Sequence, residues 1–400
     1  MFDSLQPTAY SLQPAACPED RLILLLCRGH LTPELEAEAR ELLRPPSAFC
    51  LPPSAFCLPP SALSWSLLLA RAIEQEILPL FRRNLETLGF PGVPADARAR
   101  MNDLCRANTA RQLLLVEELR RLLGLLDSAG IPAIPLKGPW LAQRLYGDYT
   151  LRVCSDLDLM VPPDRVVEAV YLLEANGYHG VFTPKFFERY LAWCAVEHWM
   201  RSERQVSIVM EFHWRVFRTP RADRQATRSL WAEAKPAPVF DAPAWSMSPR
   251  WERFLLVQHA ASNYWQQLKS LADLEAYCGW SFERPVAAQF KGAVSEASVP
   301  AGARLQLLGP GPWSFCPDGG GLLDRLLAFL WLSVTPTRAD CENWRLPAVL
   351  HVLYFALRPL RLTCKWAWRL LQAMLPRQRR VEHGLEPKCV RPAALEPGVQ

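Results

Sequence analysis

The sequence predicts an α+β fold, a small mixed β-sheet held between N- and C-terminal helical regions. Three observations predict it. Apolar residues recur at helical spacing before residue 130 and after residue 250. Between those stretches, short segments alternate polar and apolar residues with the period of a strand. From 131 to 217 strand and helix patterns take turns, the order of a small mixed sheet with helices on one side. A chain of 400 residues, 50% hydrophobic and 21% charged, has enough apolar material for two or three folded domains.

In chain order, Pro18 to Leu43 reads as helix, with Leu22, Leu24, Leu25 and Leu26 ahead of a charged segment. The heptapeptide beginning at Pro45 is repeated as Pro52 to Leu58 and begins again at Pro59. Paired prolines remove backbone donors, so this segment reads as an extended linker, produced by duplication within a tolerant loop. A proline-rich docking site is the alternative. Helix resumes at Trp65 to Leu88 and at Met101 to Ala129, where Leu113 to Val116, Leu119, Leu122 and Leu123 form an apolar stripe of the kind that packs a core.

Ile131 to Gly138 is a short apolar segment ending in Lys137-Gly138, and Trp140 to Tyr146 is helical. Ser155 to Val161 is a strand, Asp164 to Gly177 a helix stopped by its glycine, and Val206 to Trp214 a second strand. Trp251 to Cys278 reads as one helix, Pro300 to Gly321 as a loop, and Glu382 to Gln400 as disordered. These readings divide the chain into an N-terminal helical region at 1–110 with a Pro-rich linker at 45–63, a core at 111–248, a C-terminal helical region at 249–375 and a tail at 376–400.

The chemistry concentrates in the core. Period-two alternation puts Asp156 and Asp158 on one face of their strand and Leu157, Leu159 and Val161 on the other. Two adjacent acids repel unless a cation neutralises them, and their oxygen ligands suit Mg²⁺, with Mn²⁺ as its substitute. Glu211 and His213 share a face of the second strand, and Glu211 is the candidate third acid of a metal site. Upstream, Gly138 lets backbone N–H groups approach a phosphate at a helix start, with Lys137 beside it as a cation. An acid triad of this kind serves phosphoryl or nucleotidyl transfer.

The segments Leu136-Lys137-Gly138, Leu145-Tyr146-Gly147-Asp148, Arg152, Ser155-Asp156-Leu157-Asp158-Leu159, Gly177-Tyr178 and Glu211-Phe212-His213-Trp214 resemble the uncharacterised nucleotidyltransferases of bacteria, within the DNA polymerase β-like superfamily. The likeness continues through His259, Trp265, Lys269 and Asp273 and covers most of residues 64 to 370. The wider superfamily carries Gly-Ser where this chain and the family it resembles carry Lys-Gly. The resemblance implies a nucleotidyltransferase core and an enzyme that transfers a nucleoside monophosphate from an NTP, ATP by base rate, to an unidentified acceptor with release of pyrophosphate. Asp156, Asp158 and Glu211 are then the catalytic and metal-binding residues. Lys137, Gly138 and Arg152 are the expected nucleotide contacts. His213, His259 and Asp273 are expected at the acceptor or behind the metal ligands, and residues 259, 263, 266, 270 and 273 share a helix face that either points into the cleft or packs and solvates its polar groups in the ordinary way.

Two other readings stay open: an Asp-x-Asp glycosyltransferase, and a non-catalytic nucleotide-binding or regulatory protein on the same fold. A formal net charge of +5 implies no stable nucleic-acid partner. Twelve cysteines without a Cys-x-x-Cys pair read as reduced thiols. No leader peptide and no apolar run of the roughly 20 residues that span a bilayer is apparent, so the cytoplasm is the expected location. Arg358, Arg361, Lys365, Arg369, Arg377, Arg379 and Arg380 lie among leucines with Trp366 and Trp368, a basic amphipathic pattern that either contacts an anionic membrane peripherally or packs on the protein.

Overall fold

The computed structural model describes residues 17–44, 63–180, 182–191, 197–202, 208–217, 220–263, 265, 267–282 and parts of 330–374. The proline repeat, the 300–321 loop and the tail lie outside the described residues. Residues up to Leu332 form one compact unit, and those from Ser333 a second.

Several predicted helices are broken, each for a local reason. The helix expected over 18–43 is two, α1 (Pro18–Leu26) and α2 (Pro33–Leu42). Thr32 starts the second by accepting the Leu35 N–H, and Pro33 fits the first turn, where its missing donor costs nothing. The 65–88 stretch divides into α3 (Trp65–Glu74) and α4 (Leu78–Thr87) at Glu76, whose φ of 56° leaves the helical region. α5 (Ala95–Ser128) is a single helix of 34 residues, so the expected boundary at 110/111 falls inside it.

The sheet that follows contains β1 (Ile134–Pro135), β2 (Asp156–Met160), β3 (Tyr178–Gly180), β4 (Glu197–Ser202) and β5 (Val209–His213), in the order β1-β2-β5-β4-β3. β2 and β5 are parallel; the other pairs are antiparallel. Helices α6 (Pro139–Tyr146), α7 (Val166–Ala175) and α8 (Pro184–Tyr190) connect the strands. β3 and β4 have no counterpart in the sequence reading. β3 has only three residues, and β4 carries Glu197, His198 and Arg201 without regular alternation. Beyond the sheet come α9 (Pro220–Glu233), a short hairpin of β6 (Lys235–Pro236) and β7 (Trp245–Ser246), α10 (Pro249–Ser262) and α11 (Leu268–Cys278). The continuous helix expected over 251–278 is interrupted because Asn263 ends α10, and Trp265, at φ 58°, donates its N–H back to the Ala260 carbonyl. Trp265 then stacks on Trp280 with 5.3 Å between ring centres.

Alternation along the strands sorts their side chains. Leu157, Leu159, Val161, Met210, Phe212 and Trp214 bury one face against Leu115, Leu119 and Leu122 of α5 and Val166, Val170 and Leu173 of α7. The opposite face carries the acids, and its outer part, with Ile134 and Met160, packs against Leu230 of α9 and Phe254, Val257 and Ala260 of α10. Helices therefore cover both faces rather than the one expected. A separate core joins α1 to α4 and the start of α5 to Leu268 and Leu271 of α11.

In the second unit, residues 348–353 form a 3₁₀ turn leading into α12 (Tyr354–Met374). Asp340, fully buried, accepts from Arg358 Nη1 at 3.0 Å and Arg361 Nε at 2.5 Å, so two of the cations of the basic stretch are spent inside the unit. Arg377, Arg379 and Arg380 lie outside the described residues. No described helix is long and apolar enough to cross a membrane.

A buried polar tie in the first unit joins the loop before β2 to α11. Arg152 Nε donates to Asp273 Oδ2 at 2.9 Å, and the Tyr146 hydroxyl donates to Asp273 Oδ1 at 2.9 Å. Both ionised side chains are about as buried as the core, at 5% and 2% exposure. Burial works against the Arg152 charge, but Asp273 outweighs it and raises its pKa further. Removing one partner strands the other charge in a dry site, so Asp273→Ala is expected to lower stability by about 3–5 kcal/mol, whereas Arg152→Met with Asp273→Leu recovers most of that loss. Urea midpoints of the single and double variants decide this.

Candidate active site

The parallel register sets the site. Asp158 of β2 lies opposite Glu211 of β5, and Met160 lies opposite His213. Two carboxylates are thus held at one level of neighbouring strands, with His213 one pleat further on. Among the described residues, Asp158, Glu211 and His213 have ligand atoms that all fall within 4.8 Å of one another. Asp156, at the start of β2, is not in that group; its Oδ1 accepts from the Ser155 hydroxyl at 3.3 Å.

β1 supplies the cation. It runs antiparallel to β2, and Leu136 donates its backbone N–H to the Asp158 carbonyl at 3.0 Å, which brings the next residue alongside the acids. Lys137 Nζ lies 3.0 Å from Asp158 Oδ1 and 3.3 Å from His259 Nδ1 of α10. Gly138 then turns the chain into α6 with φ 79° and ψ −153°, a conformation that side chains other than glycine's resist. It precedes Pro139 at the first helical position, so the amides of the α6 N-terminus open directly after Lys137.

His213 Nε2 lies 3.3 Å from Asp158 Oδ1 and 3.6 Å from Glu211 Oε2. Burial disfavours its charge, but the hydrogen bonds to the two acids win, and its pKa is pushed up to about 9. Lys137 is governed by the same contest: burial opposes its charge, and Asp158, Glu211 and Asp156 together hold it above the usual lysine value. Asp158 is held well below the carboxylate range, since Lys137 and His213 overcome the burial penalty. Asp156 moves the other way, raised by burial and by the neighbouring Asp158 charge. His259 is kept neutral, first by burial and then by Lys137 and Arg152.

Of the expected site residues, the fold therefore gathers Lys137, Asp158, Glu211, His213 and His259, with Asp156 beside them. Arg152 and Asp273 are engaged with each other instead of facing the acids. Asn263 reaches His259 Nε2 at 3.4 Å from the end of α10, while residue 266 lies outside the described residues. Lys269 received no role from the sequence. Its Nζ donates to the Val153 carbonyl at 3.1 Å and pairs with Glu76, and its charge partly offsets the upward shift of Asp156. Only its place beside Leu268 in the family-like segment hinted at it.

This donor set fits a divalent cation. Two carboxylates on a rigid parallel pair offer hard oxygen ligands and the imidazole, once deprotonated, offers a nitrogen, while the Lys137 ammonium 3.0 Å from Asp158 is the charge such a cation would displace. The pH response follows from the same groups. His213 titrates at about 9 when folded against an ordinary 6.5, so its stabilising effect is complete below 6.5 and is lost as pH rises through about 9. Asp158, with a depressed pKa, contributes above the usual carboxylate range and loses that contribution only in strong acid. The metal-free protein is expected to lose stability across the alkaline window, and His213→Asn is expected to remove that slope and to cost on the order of 2 kcal/mol at pH 6.5. Thermal melts from pH 6 to about 10 in EDTA test both.

No curated protein matches this chain. A family model described as "uncharacterised nucleotidyltransferase" matches residues 61–296, which takes in the sheet, both acid-bearing strands, Lys137 and α10. By that match over more than half of its length, the chain belongs to the uncharacterised nucleotidyltransferase family.

Proposed function

We propose that this protein is a divalent-metal-dependent nucleotidyltransferase that transfers a nucleoside monophosphate from an NTP to an acceptor hydroxyl and releases pyrophosphate. The observation that carries the reading is the convergence of Asp158, Glu211 and Lys137 at the head of α6. Asp158 and Glu211, with Asp156 at their edge and His213 beside them, would hold Mg²⁺ or Mn²⁺, which when bound supplies positive charge to the triphosphate and lowers the pKa of a coordinated oxygen.

The protein's own groups divide the remaining work. Lys137 would turn its ammonium to the phosphates, and the α6 amides behind Gly138 would add donors and dipole to the same anion. Glu211, at 14% exposure the more accessible of the two paired acids, accepts the proton of the acceptor hydroxyl at a carboxylate oxygen. His213 holds that carboxylate in place. His259, neutral and in contact with Lys137, orients the ammonium without competing for the phosphates. Arg152 and Asp273 act at a distance by fixing α11 and the loop that leads into β2.

Peripheral contact with an anionic membrane is a separate matter of location. It is supported by Val349, Val352, Leu353 and Leu360 of the second unit, exposed at 85, 46, 44 and 55%. It adds nothing to the chemistry.

Pyrophosphate release and thermal shift with each of the four NTPs, ATP first, test the proposal. The native protein is expected to gain several degrees in melting temperature with Mg²⁺ and its NTP. Asp158→Asn and Glu211→Gln are expected to lower turnover by about 100-fold or more and to abolish the metal response, while Lys137→Ala keeps that response and weakens NTP binding about tenfold. A native melting temperature that moves with none of the NTPs would speak for a non-catalytic member of the family.

A further inference from the structure

A second charged feature lies further along the same strands. Beyond the C-terminal ends of β2 and β5, a cleft of about 600 Å³ is lined by Pro162 and Asp164 from the turn after β2, Arg215 from the segment after β5, and Asp223, Arg224, Arg228 and Trp231 from α9. Arg224, Arg228 and Trp231 recur at helical spacing, so one face of α9 presents two cations and an indole to it.

The charges in this cleft do not cancel. Asp223 is committed elsewhere: its Oδ1 accepts from the backbone N–H of Val216 at 2.7 Å and of Phe217 at 2.9 Å, and from the Thr227 hydroxyl at 2.6 Å. Its other oxygen lies 3.9 Å from Arg215 Nε, at the limit of an ion pair. Arg224 and Arg228 are exposed, and among the described residues neither has an ion pair or hydrogen bond. Like charges four residues apart on a helix repel, a cost the fold tolerates here without an acid to offset it. Two buried donors at the same place, Arg215 Nη1 and Trp231 Nε1, also have no acceptor, and buried donors in native proteins are nearly always paired.

We propose that this cleft binds a phosphate-bearing anion, held between Arg215, Arg224 and Arg228 beside the Trp231 ring. Guanidinium groups match phosphate oxygens in pairs, and three of them around one opening outweigh the single uncommitted acid, Asp164. The site is distinct from the proposed nucleotide site. Arg215 lies two residues past His213, beyond the end of β5, which sets its backbone up to about 7 Å further along the chain.

Calorimetric titration of the full-length protein with inorganic phosphate in EDTA, at constant ionic strength, tests the assignment. Saturable binding is expected with Kd of about 1 mM or tighter, weakened at least about tenfold in Arg224→Gln/Arg228→Gln and largely kept in Arg224→Lys/Arg228→Lys. Both changed side chains are solvent-exposed, so the fold is retained, and the melting temperature without phosphate should equal or slightly exceed the native value. Lys137→Ala, which removes the cation of the proposed nucleotide site, should bind phosphate as the native protein does. No saturable binding, unchanged affinity in the glutamine variant, or loss of binding in Lys137→Ala would overturn the assignment.

Discussion

Keeping two carboxylates at one level of adjacent strands, away from water, is the constraint around which the first unit is built. Asp158 and Glu211 face each other across the parallel β2–β5 pair with ligand atoms within 4.8 Å, a separation at which two full negative charges would repel by about 3–4 kcal/mol at an effective dielectric constant of about 20. Positive charge must be delivered to that spot by the fold itself. The antiparallel β1 delivers Lys137, the next pleat of β5 delivers His213, and the remaining neighbour, His259, stays neutral because it is buried and because Lys137 and Arg152 already stand near it. The sheet order, with β1 and β5 on either side of β2, is the topology that lets both cations reach the same acid.

Much of this was legible in the chain because alternation is a local signal. Asp158 and Glu211 stand out against Leu157, Leu159 and Phe212 in short runs where every second residue is apolar, and Lys137-Gly138 sits where a strand must turn into a helix. What escaped is what depends on partners distant in sequence. β4 is held by pairing with β5 and β3 despite a charged sequence of its own. The Arg152–Asp273 pair joins residues 121 positions apart, and neither side chain advertises the other. Read separately, one looked like a phosphate ligand and the other like an acceptor contact. The breaks at Glu76 and Trp265 were invisible for a different reason: apolar periodicity runs straight through them, and only the positive φ marks the turn.

The helices from the two sides of the sheet in sequence are not two domains in space. Leu22, Leu25, Leu68 and Phe81 share a core with Leu268 and Leu271, so α11 packs with the N-terminal bundle while its Asp273 reaches back to the loop before β2. The family match begins at residue 61, yet α1 and α2 fill the same core as the matched helices. The bundle thus braces the site from behind: it fixes α11, α11 fixes Arg152, and Arg152 fixes the entry to the strand that carries both aspartates.

α5 extends that dependence into the energetics of the whole unit. As a continuous helix of 34 residues, about 50 Å long, it donates Ala97 and Met101 to the bundle core and Leu115 to Leu126 to the core beneath the sheet. A rod embedded at both ends couples the two cores, because the same helix backbone holds the contacts made in each. A cavity made under α1 is thereby expected to loosen the packing beneath Asp158 and Glu211 as well.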